Sequence, residues 1–127
     1  MKKTIAVILG LIIFLSCDPP RYYNYYIINN CNEVIDVKIE VSQWGSPEIK
    51  SIDLQINPIT TRLIHSDEWF QPLSDNMIEY FFKRGILITK GNDTSKINYV
   101  NKDLWEFKKT KKNHADSYLT VYPEDFE

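Results

Sequence analysis

Groups suited to acid–base, nucleophilic or metal chemistry are few in this 127-residue chain: two histidines, two cysteines and 17 carboxylates. His65 stands in LIHSDEW beside Asp67 and Glu68, a cluster of the kind that builds a metal site or an acid/base pair. One histidine next to two acids at a strand end is more often a solvated pattern, because a metal needs several independent ligands. His114 lies in a lysine-rich stretch that would repel a cation. HExxH, paired CxxC, GxSxG and glycine-rich phosphate loops are all absent, and the four glycines are scattered. These residues lead us to expect no cofactor, no metal and no enzymatic activity.

The cysteines are Cys17 and Cys31. Cys31, in INNCNEV, has no histidine or lysine beside it in sequence to generate a thiolate, and reads as a turn residue or a partly buried thiol. Cys17 ends a different kind of segment. Lys2 and Lys3 are followed by an uncharged stretch to Ser16, apolar from Ile5 to Leu15 apart from Gly10. This is the pattern of a secretory signal peptide. The run falls short of the ~20 apolar residues of a membrane-spanning helix. Asp18-Pro19-Pro20 then breaks any helix.

Phe14-Leu15-Ser16-Cys17 resembles the lipobox of bacterial lipoproteins, in the relaxed form similar to that of Bacteroidota. Ser16 and Cys17 fit the family's pattern; Phe14 and Leu15 depart from its usual preferences. The resemblance covers residues 1–17 only. It implies that a diacylglycerol is attached to the Cys17 thiol and that the chain is cut before Cys17. The mature protein would then sit in the cell envelope, on the outer membrane, with its domain outside the cytoplasm. A disulfide between Cys17 and Cys31 is the alternative for an exported chain, but it leaves the position of Cys17 after the apolar run without a reason.

The expected organisation is therefore residues 1–16 as signal peptide, 17–21 as a proline-stiffened tether, and 22–127 as one domain. Without residues 1–16, which carry Lys2 and Lys3 of the 15 basic residues, 13 basic face 17 acidic groups, a net charge of −4. That balance argues against a nucleic-acid partner.

Period-2 alternation dominates the domain. In 33–42, Ile35, Val37, Ile39 and Val41 alternate with Asp36, Lys38, Glu40 and Ser42; 48–56 repeats the pattern, and the two read as an antiparallel hairpin. Strands are also expected at 22–28, 59–66, 86–90, 96–100, 103–109 and 117–122, with loops at 67–76 and 110–116. Residues 74–85 read as a short helix capped by Ser74 or Asp75 and closed by Gly85, or as a strand. The expected fold class is all-β: a two-sheet antiparallel sandwich of immunoglobulin or transthyretin type, with a small closed barrel as runner-up.

Aromatic residues supply the candidate binding surface: Tyr22, Tyr23, Tyr25, Tyr26, Trp44 and Trp69. Four tyrosines in one strand place two on each face, so one pair can face solvent and contact a protein or a glycan, while core packing takes the others. The cluster Lys108, Lys109, Lys111 and Lys112 reads as a solvated hairpin loop, or as a contact to anionic lipid if it faces a bilayer. The expected function is a non-enzymatic, lipid-anchored binding or assembly-support module. The alternatives are an inhibitor or immunity-type protein acting through loop 67–76, and an envelope hydrolase with a carboxylate site.

Overall fold

A computed structural model describes residues 19–42, 46–70 and 72–127. Cys17 and Trp44 lie outside the described residues. Eight strands form among the described residues: β1 (Arg21–Asn29), β2 (Ile35–Ser42), β3 (Ile49–Ile56), β4 (Thr60–Trp69), β5 (Ile86–Lys90), β6 (Asp93–Thr94), β7 (Trp105–Lys111) and β8 (His114–Val121). They make two four-stranded sheets, ordered β4-β1-β8-β7 and β3-β2-β5-β6. The fold is the expected two-sheet sandwich. Every pairing is antiparallel except β1 with β8, which is parallel.

Alternation explains the layering. Ile35, Val37, Ile39 and Val41 of β2 are all buried, and each contributes about 1.5–3 kcal/mol on leaving water. A one-residue slip would expose all four and bury Asp36, Lys38 and Glu40, so the register Val37↔Leu54 and Ile39↔Ile52 with β3 is strongly specified. From the other sheet, Tyr23, Tyr25 and Ile27 of β1 and Ala115, Leu119 and Val121 of β8 complete the core. A bulge in the β1–β4 register, where Tyr25 pairs with His65 and Tyr26 with Leu63, leaves both Ile64 and His65 buried.

Residues 74–85 contain a short helix, α1 (Met77–Phe81). Its cap position is Asn76, without a side-chain cap bond, rather than Ser74 or Asp75. Met77, Ile78, Phe81 and the following Phe82 enter the core, and Gly85, at φ 97°, turns the chain into β5.

Three local expectations change. Strand 96–100 does not form; only Asp93–Thr94 pairs with β5. Ser95 Oγ takes the Ile97 N–H and Asn98 Oδ1 takes the Val100 N–H, so side chains replace the ladder and lodge Tyr99 in the core. The basic stretch 110–116 is mostly strand, closing in a tight turn at Lys112 and Asn113. β4 runs on to Trp69, into the segment expected as loop.

Candidate functional site

The solvent face of the β4-β1-β8-β7 sheet gathers aromatic and polar side chains in rows. Tyr22, Asn24 and Tyr26 alternate outward from β1, opposite His114, Asp116 and Tyr118 of the parallel strand β8. Tyr22 stacks on His114 with centroids 4.9 Å apart and planes 24° apart. Tyr26 stacks on Tyr118, also at 4.9 Å, with planes 11° apart. Between the pairs, Asn24 Nδ2 donates to Asp116 Oδ1 at 3.1 Å, and Ser66 Oγ of β4 donates to Asn24 Oδ1 at 2.7 Å. Lys108 Nζ stands 5.3 Å from the Tyr118 centroid and 3.3 Å from Glu106. The result is a ladder of aromatic pair, polar pair and aromatic pair, spanning about 13 Å along the strands.

Ring orientation decides what this face can hold. The centroid separation of 4.9 Å matches the ~4.8 Å spacing of neighbouring strands. Nearly parallel rings that close must overlap, because side by side in one plane they would interpenetrate. Each pair therefore covers one ring face of each member. A sugar stacks on an open ring face, whereas edges and phenolic hydroxyls suit a protein surface. Burial, then the neighbouring Asp116 and Tyr118, pushes the Tyr26 phenol up, so it stays a neutral donor.

Beside the ladder, Tyr118 and Thr120 form one wall of a groove of about 480 Å³. Its floor includes the buried Trp105, whose Nε1 donates to Tyr99 O at 2.7 Å. Ile97, Leu104 and Tyr122 line it and are exposed, and Asp103 and Glu106 lend it negative charge. The size and lining of this groove suit an apolar side chain.

The aromatic candidates separate by strand parity. Tyr22, 37% exposed, and Tyr26 belong to the ladder. Tyr23 and Tyr25, each 1% exposed, do not contact ligand: they are core. Phe81, Phe82 and Trp105 close around Tyr25, while Tyr23 OH accepts from Ser74 N and donates to Pro72 O. Trp69 is half-buried, with ring contacts to Tyr80 and Phe81 that anchor α1 rather than offer a platform.

The LIHSDEW cluster does not converge. Strand alternation turns His65 and Asp67 inward and sends Glu68 to the outer face beside Tyr22. His65 Nε2 meets Asp67 Oδ2 at 3.2 Å, while Nδ1 has no partner among the described residues. Among the described residues, no three of His, Cys, Asp and Glu come together as a metal would require.

Cys31 is buried, its Sγ 3.8 Å from Val121 O, at the end of the sheet where β1 finishes. β1 carries the chain about 26 Å from Arg21 to Asn29, so Cys31 sits near the opposite end of that strand from Arg21. Lys90 is near Cys31 in space, but burial outweighs it and pushes the thiol up. Cys31 should thus react with a thiol reagent on the order of 100-fold more slowly in the native protein than in denaturant. Comparable rates in a labelling time course would show that the site is open.

The place of His114, Asp116 and Tyr118 on this face was not legible in the sequence, because a parallel pairing between residues 92 apart leaves no local signal. No known protein family, curated protein or solved structure matches the chain.

Proposed function

We propose that this chain is a lipid-anchored protein of a bacterial envelope, held by acylated Cys17, that binds a protein partner without catalysis. The ladder of Tyr22–His114, Asn24–Asp116 and Tyr26–Tyr118 carries this reading. It puts three tyrosines on a pre-ordered solvent face, and tyrosine is enriched where proteins meet. The pattern of residues 1–17 supports the anchor. Inhibition through 67–76 has less support, because Tyr23 ties Pro72 and Ser74 back to the core.

Two measurements test the proposal. Mass spectrometry of the native protein should find a mature N-terminus at Cys17 carrying acyl mass, and Cys17→Ser should move the protein from membrane to soluble fraction; an intact 1–16 segment sinks the anchor. Cross-linking in intact envelopes should capture a protein that Tyr26→Ala/Tyr118→Ala loses by about 30-fold or more in affinity, with the β fold retained by circular dichroism. Capture unaffected by the double variant excludes the ladder as the binding face. Binding of isolated envelope glycan that the same variant abolishes would replace the protein partner with a sugar.

A further inference from the structure

We infer that the tether end of the sandwich is a membrane-docking patch, in which Arg21, Lys109, Lys111 and Lys112 meet the anionic headgroups of the bilayer that holds the anchor. The inference rests on the lipid-anchor reading. Tyr22 pairs with His114 and its N–H donates to Asn113 O at 2.8 Å, so the β7–β8 turn sits beside the start of β1. Arg21 pairs with Trp69, and its guanidinium donates to Pro19 O at 3.2 Å and Phe70 O at 3.0 Å, fastening the tether to the end of β4. Four residues from Cys17 to Arg21 span at most about 14 Å, which keeps this end at the bilayer surface.

The charge at this end fits that neighbour. Lys109, Lys111 and Lys112 are exposed and join no ion pair among the described residues, whereas Lys108 is engaged by Glu106 and Tyr118. The acids there include Asp67, Glu68 and Asp116, with Asp18 in the tether; Asp67 is held by His65 and the Glu68 N–H, and Asp116 accepts from Asn24. Phe70, 44% exposed, adds an apolar edge of the kind that settles at a headgroup boundary. Lys109, Lys111 and Lys112 thus gather at one turn in a chain whose formal net charge is −2. A tethered patch needs little intrinsic affinity, because the anchor makes docking intramolecular. Once docked, β1 stands off the membrane, the ladder faces sideways, and a partner in the same membrane can reach it.

The test uses the native, acylated protein in vesicles of phosphatidylcholine with or without phosphatidylglycerol. A fluorophore is attached at Asn113→Cys in the turn, or at Asn57→Cys at the far end, and quenched by headgroup-labelled lipid. Quenching at position 113 but not 57, only with phosphatidylglycerol, is expected. Lys111→Glu/Lys112→Glu should reduce the docked population by about fivefold per lysine, with flotation unchanged. Flotation with equal quenching at both sites, or with quenching at 113 indifferent to vesicle charge, overturns the patch and leaves the anchor standing. Failure to float with either lipid overturns the anchor, and the patch with it.

Discussion

Tyr25→Phe is expected to raise the melting temperature by about 4 °C, while Tyr25→Ala costs about 3–5 kcal/mol and leaves little folded protein. The two variants pull apart the ring and the hydroxyl. The ring is 1% exposed, stacked on His65 and edge-packed by Phe81, Phe82 and Trp105, so truncation opens a cavity where both sheets and α1 meet. The hydroxyl is buried and has no hydrogen-bond partner among the described residues. Removing it relieves a desolvation cost of about 1–3 kcal/mol while losing no bond. Burial, then Tyr23 and Asp67, holds the Tyr25 phenol far above its ordinary value of 10.0. In the unfolded chain that phenol ionises above about pH 10, whereas in the folded protein it keeps its proton. The unfolded state therefore binds fewer protons there, and stability falls as pH rises. Tyr25→Phe should blunt that alkaline loss. Calorimetry across neutral and alkaline pH reads both effects, and a destabilised Tyr25→Phe would show that the hydroxyl is bonded in solution.

Asn29→Ala is expected to cost about 3 kcal/mol or more, and Asn29→Asp to cost more still at neutral pH. Asn29 is fully buried at the end of β1. Its Nδ2 donates to Glu33 O, Ile56 O and Asn57 O at 2.8, 3.0 and 3.1 Å, and its Oδ1 accepts from Cys31 N at 2.9 Å. One amide thus joins the last residue of β1 to the end of β3 in the opposite sheet and shapes the turn into β2. Alanine strands those backbone groups. Aspartate keeps an acceptor for Cys31 N but turns a carboxylate toward three carbonyl oxygens, leaving a buried charge without a counter-charge. Urea unfolding should show midpoints ordered wild type, Asn29→Ala, Asn29→Asp. A loss under about 1 kcal/mol for alanine would mean that the sheets do not depend on this link.

Both residues show what local pattern conveys. YYNYYII announced a strand with two tyrosines per face, and Tyr22 and Tyr26 were accessible to that reasoning. Asn24, sharing a face with Tyr22 and Tyr26, already marked that face as the more polar one, while Tyr23, Tyr25 and Ile27 make the apolar face. Contacts from α1 and Trp105, more than 50 residues away, settle Tyr23 and Tyr25 into the core. Nothing near Asn29 in the sequence hints at its partners Ile56 and Asn57.

By itself the sequence determined the sandwich and the faces of β2, because a period of two with charges between apolar residues admits one burial pattern. It also raised the expectation of a targeting segment at residues 1–17, from an apolar run ended by Cys17, Asp18 and two prolines. Only the tertiary structure decided the neighbours. The parallel pairing of β1 with β8 builds the ladder and brings the lysine turn beside the tether. Strand order is chosen by packing between distant segments, and alternation within a strand is the same whichever strand lies next to it.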